Sequence, residues 1–301
     1  MLGRFLGHIA LATLLVPAVT AAEHEPGTVV QVQMRNILYR VTNPVSVHIA
    51  RLDGELRPTH DGTIASFDDR DSFLIAIRAA EISLSTDALA TILNQYAFAA
   101  SDAPLKEVRI TPQGSGLKIT GKLHSKGNLP FETVGTLSVT DDGKVRVHTE
   151  HIKAAHISVK GLMDLVGIKI ANLIKTEKVR GLRVDQDDLI LDPTSVLPPP
   201  RIEGKLTAIA VRGNQIVQTF GGKPEDTRGR TGNFMSYQGG QLKFGKLTMS
   251  PADLVLIDPV PRDPFDFFFE HYKEQLVAGY TKNTPQDGLR VYMPDYAKVK
   301  K

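Results

Sequence analysis

Apolar and polar residues alternate along the chain from Val29 to Leu56. Val30, Val32 and Met34 share one parity, and Val45, Val47 and Ile49 repeat the pattern. A period of two predicts strands with one covered face. Asn43-Pro44 between the two runs predicts a turn. Residues 59–85 continue the alternation, with Phe73, Ile75 and Ile77 on one face, so this part of the chain predicts an antiparallel sheet.

The period changes near Ser85. Leu89, Ile92, Leu93 and Tyr96 recur at steps of three and four, which marks one stripe of a helix. Ser85 is placed to cap its free N–H groups, and Asp87 suits the first turn. The helix is expected to fade before Ser101.

In the stretch "GSGLKITGKLHSKGNLPFETVGTLSVTDDGKVRVHTEHI", Leu117, Ile119 and Leu123 point one way. Lys118, Thr120, Lys122 and His124 point the other, and Val145 and Val147 resume the alternation. A sheet of this kind has one wet face and one face that must be covered. The cover expected is a helix over "SVKGLMDLVGIKIANLIKTE", about 18 residues and roughly 27 Å long. Its wide apolar arc holds Leu162, Leu165, Val166, Ile170, Leu173 and Ile174. Lys160, Asp164 and Lys169 would each cost about 2.5–3.5 kcal/mol near a bilayer centre, so the segment is amphipathic and not membrane-spanning.

Beyond it, "LRVDQDDLILDP" predicts a strand and "SVLPPPRIEG" a stiff extended connector. "RIEGKLTAIAVRGNQIVQTF" predicts a hairpin turning at Gly213-Asn214. Residues 221–233 read as an exposed loop, followed by a strand pair within 240–259. Pro264 is well placed to start an aromatic helix over 265–280.

Composition narrows the function classes. The chain has 301 residues, 42% hydrophobic and 23% charged, with a formal net charge of +3. Its basic residues are dispersed, unlike the concentrated face of a nucleic-acid binder. Arg4, the apolar run after it and the small residues before Glu23 match an export signal over 1–22. The expected location is therefore across the inner membrane, in the periplasm. The absence of cysteine excludes disulfides, thiolate catalysis and thiolate metal sites.

Candidate chemistry is sparse. The sequence has no nucleophile elbow, Walker loop or dinucleotide fingerprint. His148 and His151 fall on opposite faces of an extended strand and do not share an ion. "DDRD" at 68–71 lacks the glycine and distal glutamate of a calcium loop and reads as a solvated turn. No catalytic residue, metal or cofactor is expected, and the chain reads as a non-enzyme. The aromatic run Phe265, Phe267, Phe268, Phe269 and Tyr272 has two readings: a C-terminal helix packed on the body, or a transient contact with a membrane surface or partner.

The order helix, antiparallel strands, long apolar helix, strand, proline-rich break and hairpin runs from residue 81 to 220. Quoted as "ISLSTDALATILNQYAF … LKITGKLHSKGNLPFETVGTLSV … LMDLVGIKIANLI … DDLILDP … RIEGKLTAIAVRGNQIV", it resembles bacterial LmeA-type phospholipid-binding proteins of the TULIP-like (tubular lipid-binding) group. The resemblance implies an α+β fold: a strongly curved antiparallel sheet rolled around a long amphipathic helix. Here it would be extended by N-terminal strands (23–80) and by a C-terminal strand pair and helix (221–301).

It further implies an exported protein that holds the acyl chains of a phospholipid or other amphiphile in an apolar groove, for transport or homeostasis of envelope lipids. Leu89, Ile92, Leu93, Tyr96, Leu117, Ile119 and Leu123 would line that groove with the arc 162–174. The alternative is a non-enzymatic structural or scaffold module of the cell envelope, in which the same apolar faces fill one another. Periodicity alone serves both readings.

Overall fold

The computed structural model describes residues 29–124, 127–154, 179, 181–222 and 231–299. Strands β1 (Val30–Thr42) and β2 (Val45–Pro58) form the expected hairpin at Asn43-Pro44, followed by β3 (Ala65–Ser66) and β4 (Phe73–Ser85). Helix α1 (Thr86–Ile92) starts at the expected cap: the Ser85 hydroxyl accepts the Ala88 N–H. It runs on through a π-helical turn, Leu93–Ala97. Then β5 (Leu105–Gln113), β6 (Gly116–Leu123), β7 (Leu129–Val139) and β8 (Val145–Ala154) form an antiparallel meander.

Strands β9 (Leu182–Asp185) and β10 (Asp188–Leu191) replace the single strand expected over 182–193. The break falls at Gln186, whose φ of 55° bends the chain into a turn. After α2 (Pro193–Val196) come β11 (Arg201–Glu203), β12 (Leu206–Arg212) and β13 (Gln215–Gly221). The hairpin of β12 and β13 turns at Gly213-Asn214 as expected. The C-terminal part supplies β14 (Phe234–Gly239), β15 (Leu242–Phe244), β16 (Leu247–Met249), β17 (Ala252–Ile257) and β18 (Phe265–Phe268). Helix α3 (Tyr272–Ala278), β19 (Tyr280–Asn283), β20 (Leu289–Tyr292) and α4 (Tyr296–Val299) complete it.

Eleven strands form the main sheet, in the order β12-β13-β4-β2-β1-β14-β17-β20-β19, with β11 on β4 and β18 on β1. A six-stranded sheet follows β5-β6-β7-β8-β10-β9, and β16-β15-β3 make a small third sheet. The two 13-residue strands β1 and β4 are longer than any single partner on one of their edges. Each therefore takes two partners in succession, because backbone groups left unpaired in the interior are costly. Along β1, antiparallel β14 faces Gln31–Arg35 and parallel β18 faces Ile37–Arg40. The switch is Asn36, whose φ is 52°. Along β4, parallel β11 faces Leu74–Ala76 and antiparallel β13 faces Ala79–Ser85. Elsewhere, edge strand β5 is covered by a side chain: Asn94 donates to the Val108 carbonyl (2.7 Å) and accepts its N–H (2.9 Å).

This architecture corrects the expected fold class. The main sheet is mixed, with parallel ladders at β1/β18, β4/β11 and β17/β20. The sheets are neither closed nor strongly curved. The longest helical stretch among the described residues is α1 with its π turn, residues 86–97. The physical reason is that alternation reports which face of a strand is buried. It does not report which strand lies alongside, or the direction in which that strand runs. The helix expected over 159–174 lies outside the described residues, as does most of the loop expected over 221–233.

The aromatic helix expected over 265–280 is also corrected. Phe265–Phe268 is a strand, Phe269–His271 a 3-10 turn, and only Tyr272–Ala278 is α-helical. Phe265, Phe267 and Phe268 are at most 1% exposed. The unpaired stretch of β1 beyond Asn36 recruits them as a strand buried on both faces, which overrides the helix-start signal of Pro264.

Candidate functional site

Two features are candidates for function. The first is apolar. Ile82 and Leu84 of β4, Ile216 and Phe220 of β13, and side chains of the six-stranded sheet and α1 surround a cavity of about 120 Å3. The described lining has one polar side chain, Gln218. Leu89, Ile92, Leu93, Leu117 and Ile119 lie on this cavity, as the sequence pattern brings them to one interior. Leu123 is buried, 1% exposed, but is not among the lining residues, and Tyr96 is 38% exposed. Leu162, Leu165, Val166, Ile170, Leu173 and Ile174 lie outside the described residues.

The cavity is small beside the roughly 300–1,000 Å3 of ordinary ligand pockets. Another part of the interior, away from this cavity's lining, is filled by interlocking rings. Phe67 meets Tyr237, Phe244, Phe269 and Tyr272 at centroid distances of 5.2, 5.1, 5.3 and 5.5 Å. Such pairs contribute about 0.5–1.5 kcal/mol each beyond the area they bury.

The second feature is a polar cleft of about 380 Å3 between the turn at Phe67–Arg70 and the segment Phe269–Lys273. The Tyr272 hydroxyl donates to Asp68 and accepts the Gly245 N–H at 3.1 Å. Lys273 Nζ lies 2.9 Å from Asp68 Oδ1, and Arg70 pairs with Glu270. The Tyr272 hydrogen bond, with Lys273 beside it, holds the Asp68 carboxyl below its ordinary range. Burial, reinforced by Asp68, pushes the Tyr272 phenol up. The sequence reading missed this cleft, because "DDRD" and "EHYK" lie some 200 residues apart and nothing local links them.

Among the described residues the histidines form no shared site. His148 Nδ1 bonds Asp188 Oδ1 at 2.7 Å on an exposed strand, the His151 side chain is not described, and His156 lies outside the described residues. Among the described residues no group of three or more His, Asp or Glu is placed to hold a metal ion, and no helix is long and apolar enough to cross a membrane.

The described residues define a mostly β protein of two large open sheets, one mixed and one antiparallel, with short helices. No protein-family model, curated protein or solved structure matches the chain. The resemblance to LmeA-type, TULIP-like proteins is corrected with the fold: open, uncurled sheets with, among the described residues, only short helices are not that arrangement. The acyl-chain groove goes with it, since the interior is self-packed around buried rings. So do the phospholipid or other amphiphile as partner and the transient membrane-surface contact expected of an aromatic helix at 265–280, because Phe265, Phe267, Phe268, Phe269 and Tyr272 are buried and no long amphipathic helix carries them.

Proposed function

We propose that this chain is a non-enzymatic structural or scaffold module of the cell envelope, exported by its first 22 residues and acting through its folded surface. One observation carries this reading. The aromatics that the sequence offered for outside contact are instead the centre of the core, with Phe265 and Phe267 both 0% exposed. A protein that spends its largest apolar groups on its own interior presents a rigid body to its surroundings. The signal-like start supports export, and the absence of a nucleophile or paired-acid motif in the sequence supports a role without catalysis.

Cross-linking in intact cells followed by fractionation tests the reading. Stable cross-linked partners in the envelope fraction are expected. A uniformly monomeric, unlinked protein, or one retained in the cytoplasm, overturns it.

A further inference from the structure

We propose that strand β19 (Tyr280–Asn283) docks a second copy of this chain, edge to edge, about a two-fold axis at Thr281. The strand ends the main sheet, and all four of its residues are exposed. Pairing with β20 sets Tyr280 opposite Tyr292 and Lys282 opposite Arg290. The Thr284 N–H reaches the Gly288 carbonyl at 2.7 Å, while the Met293 N–H turns the other way, to the Ile257 carbonyl at 3.0 Å. Backbone groups alternate sides along a strand, so Tyr280 and Lys282 spend theirs on β20. Those of Thr281 and Asn283 point out of the sheet. Among the described residues no strand pairs with that edge, whereas the edge of β5 is clasped by Asn94.

An open edge is a template for another strand, and the side chains here select a copy of the same one. Lysine is the residue that ordinarily guards such an edge, and a register that set Lys282 opposite itself would be repulsive. An axis at Thr281 instead puts Lys282 of each copy opposite Tyr280 of the other. Within one copy the Lys282 ammonium already lies 5.6 Å from the centre of the Tyr280 ring and 5.4 Å from that of Tyr292, and the two rings stack at 4.6 Å. The same attraction of a cation to a ring then works across the axis. In this register Thr281 exchanges both backbone bonds with its counterpart, and the Asn283 N–H meets the Gly279 carbonyl of the other copy. An axis at Asn283 would set Thr281 against Pro285, and a proline has no N–H to give.

Apolar surface beside the edge adds to the contact. Val277, in the last turn of α3, is 85% exposed, and Tyr280 is 50% exposed. A strand of four residues gives a small interface, so the association is expected to be weak and reversible. A self-docking edge rests on the reading of this chain as a scaffold, and it supplies that scaffold with a partner.

The absence of cysteine from the chain allows a direct test on the purified full chain. Thr281→Cys brings two thiols together at the axis, with Cα atoms about 5.5 Å apart, within disulfide reach. Asn283→Cys lies on the same edge but about 13 Å along the strand from its counterpart. Under mild oxidation Thr281→Cys is expected to form a linked dimer at least roughly tenfold faster than Asn283→Cys. Analytical ultracentrifugation of the unaltered protein is expected to show a dimer that grows with concentration, with amide hydrogen exchange slowing at Thr281 and Asn283 as it forms. Thr281→Pro, at a position whose N–H faces solvent, is expected to stay folded by circular dichroism and to be monomeric. A monomer at every concentration, equal oxidation of the two cysteine variants, or a dimer with unchanged exchange at Thr281 overturns the proposal, whatever Thr281→Pro does. Cross-links to other envelope proteins from a chain that does not self-associate would overturn this edge and leave the scaffold reading standing.

Discussion

Arg40 and Asp266 are joined at two points, Nε to Oδ1 at 2.5 Å and Nη2 to Oδ2 at 2.9 Å. The pair ties β1 to β18, and Asp266 Oδ2 also accepts the Ala297 N–H at 3.1 Å, which fastens α4. The Asp266 side chain is 8% exposed and that of Arg40 24%. Asp266→Asn removes the charge that Arg40 needs while keeping the shape. Because Arg40 retains some water, the expected loss is about 2–3 kcal/mol, less than for a fully buried pair. Urea denaturation measures it, and a midpoint equal to that of the unaltered protein would show that the pair is not what holds β18 in place.

Gln275 supplies the second fastening of the same strand. It is 0% exposed, its Oε1 accepts the Phe268 N–H, and its Nε2 donates to the carbonyls of Asp266 and Pro294. Gln275→Leu keeps the volume and takes away the partner of three backbone groups, those of Phe268 and Asp266 buried and that of Pro294 partly so. At about 1–3 kcal/mol for each such group, the variant is expected to lose most of its stability. Thermal unfolding followed by circular dichroism is the check, and an undiminished transition temperature would contradict this account.

These two side chains show where the sequence was legible and where it was not. The hairpin at Asn43-Pro44, the Ser85 cap, the β12–β13 hairpin and the buried faces of β4 and β6 follow from local chemistry, and alternation was enough to find them. The strand Phe265–Phe268 was not legible. Its local signals, Pro264 and a dense aromatic run, favour a helix, and what decides otherwise is the free edge of β1 some 230 residues earlier. Arg40 and Asp266 likewise carry no mark in sequence that they will meet. The polar cleft was hidden for the same reason, since Arg70 and Glu270 are neighbours only in the folded chain, where Phe67 and Phe269 pack together.

Gly221 marks the crowded point where β4 changes partners from β11 to β13. Its φ is 58°, and a Cβ there would fall 1.8 Å from the Arg78 carbonyl oxygen. Both the left-handed backbone and the close approach require glycine. Gly221→Ala is expected to cost about 2–4 kcal/mol, from strain and from displacement of the β13 edge. Hydrogen exchange should show the loss of protection concentrated in β12 and β13. Protection that falls evenly over both large sheets would place the effect elsewhere.

The last prediction concerns pH and the polar chain that starts at His48. His48 Nε2 lies 2.9 Å from Asn36 Oδ1, Asn36 donates to Asn233, and Asn233 donates to the buried Asp258, each at 2.9 Å. Burial lowers the His48 pKa below its ordinary 6.5, partly opposed by the negative charge of Glu81. The neutral ring donates to Asn36, and the unfolded chain takes up the His48 proton more readily than the folded one. The contribution of this group is therefore complete above about pH 6.5 and shrinks as pH falls from there toward the lowered folded-state value. His48→Gln keeps an N–H for Asn36 but does not titrate. Unfolding free energies measured between pH 5 and 8, a range set by the histidine titration, should fall less steeply on the acid side in the variant than in the unaltered protein. Identical slopes would mean that His48 titrates alike in the folded and unfolded chain.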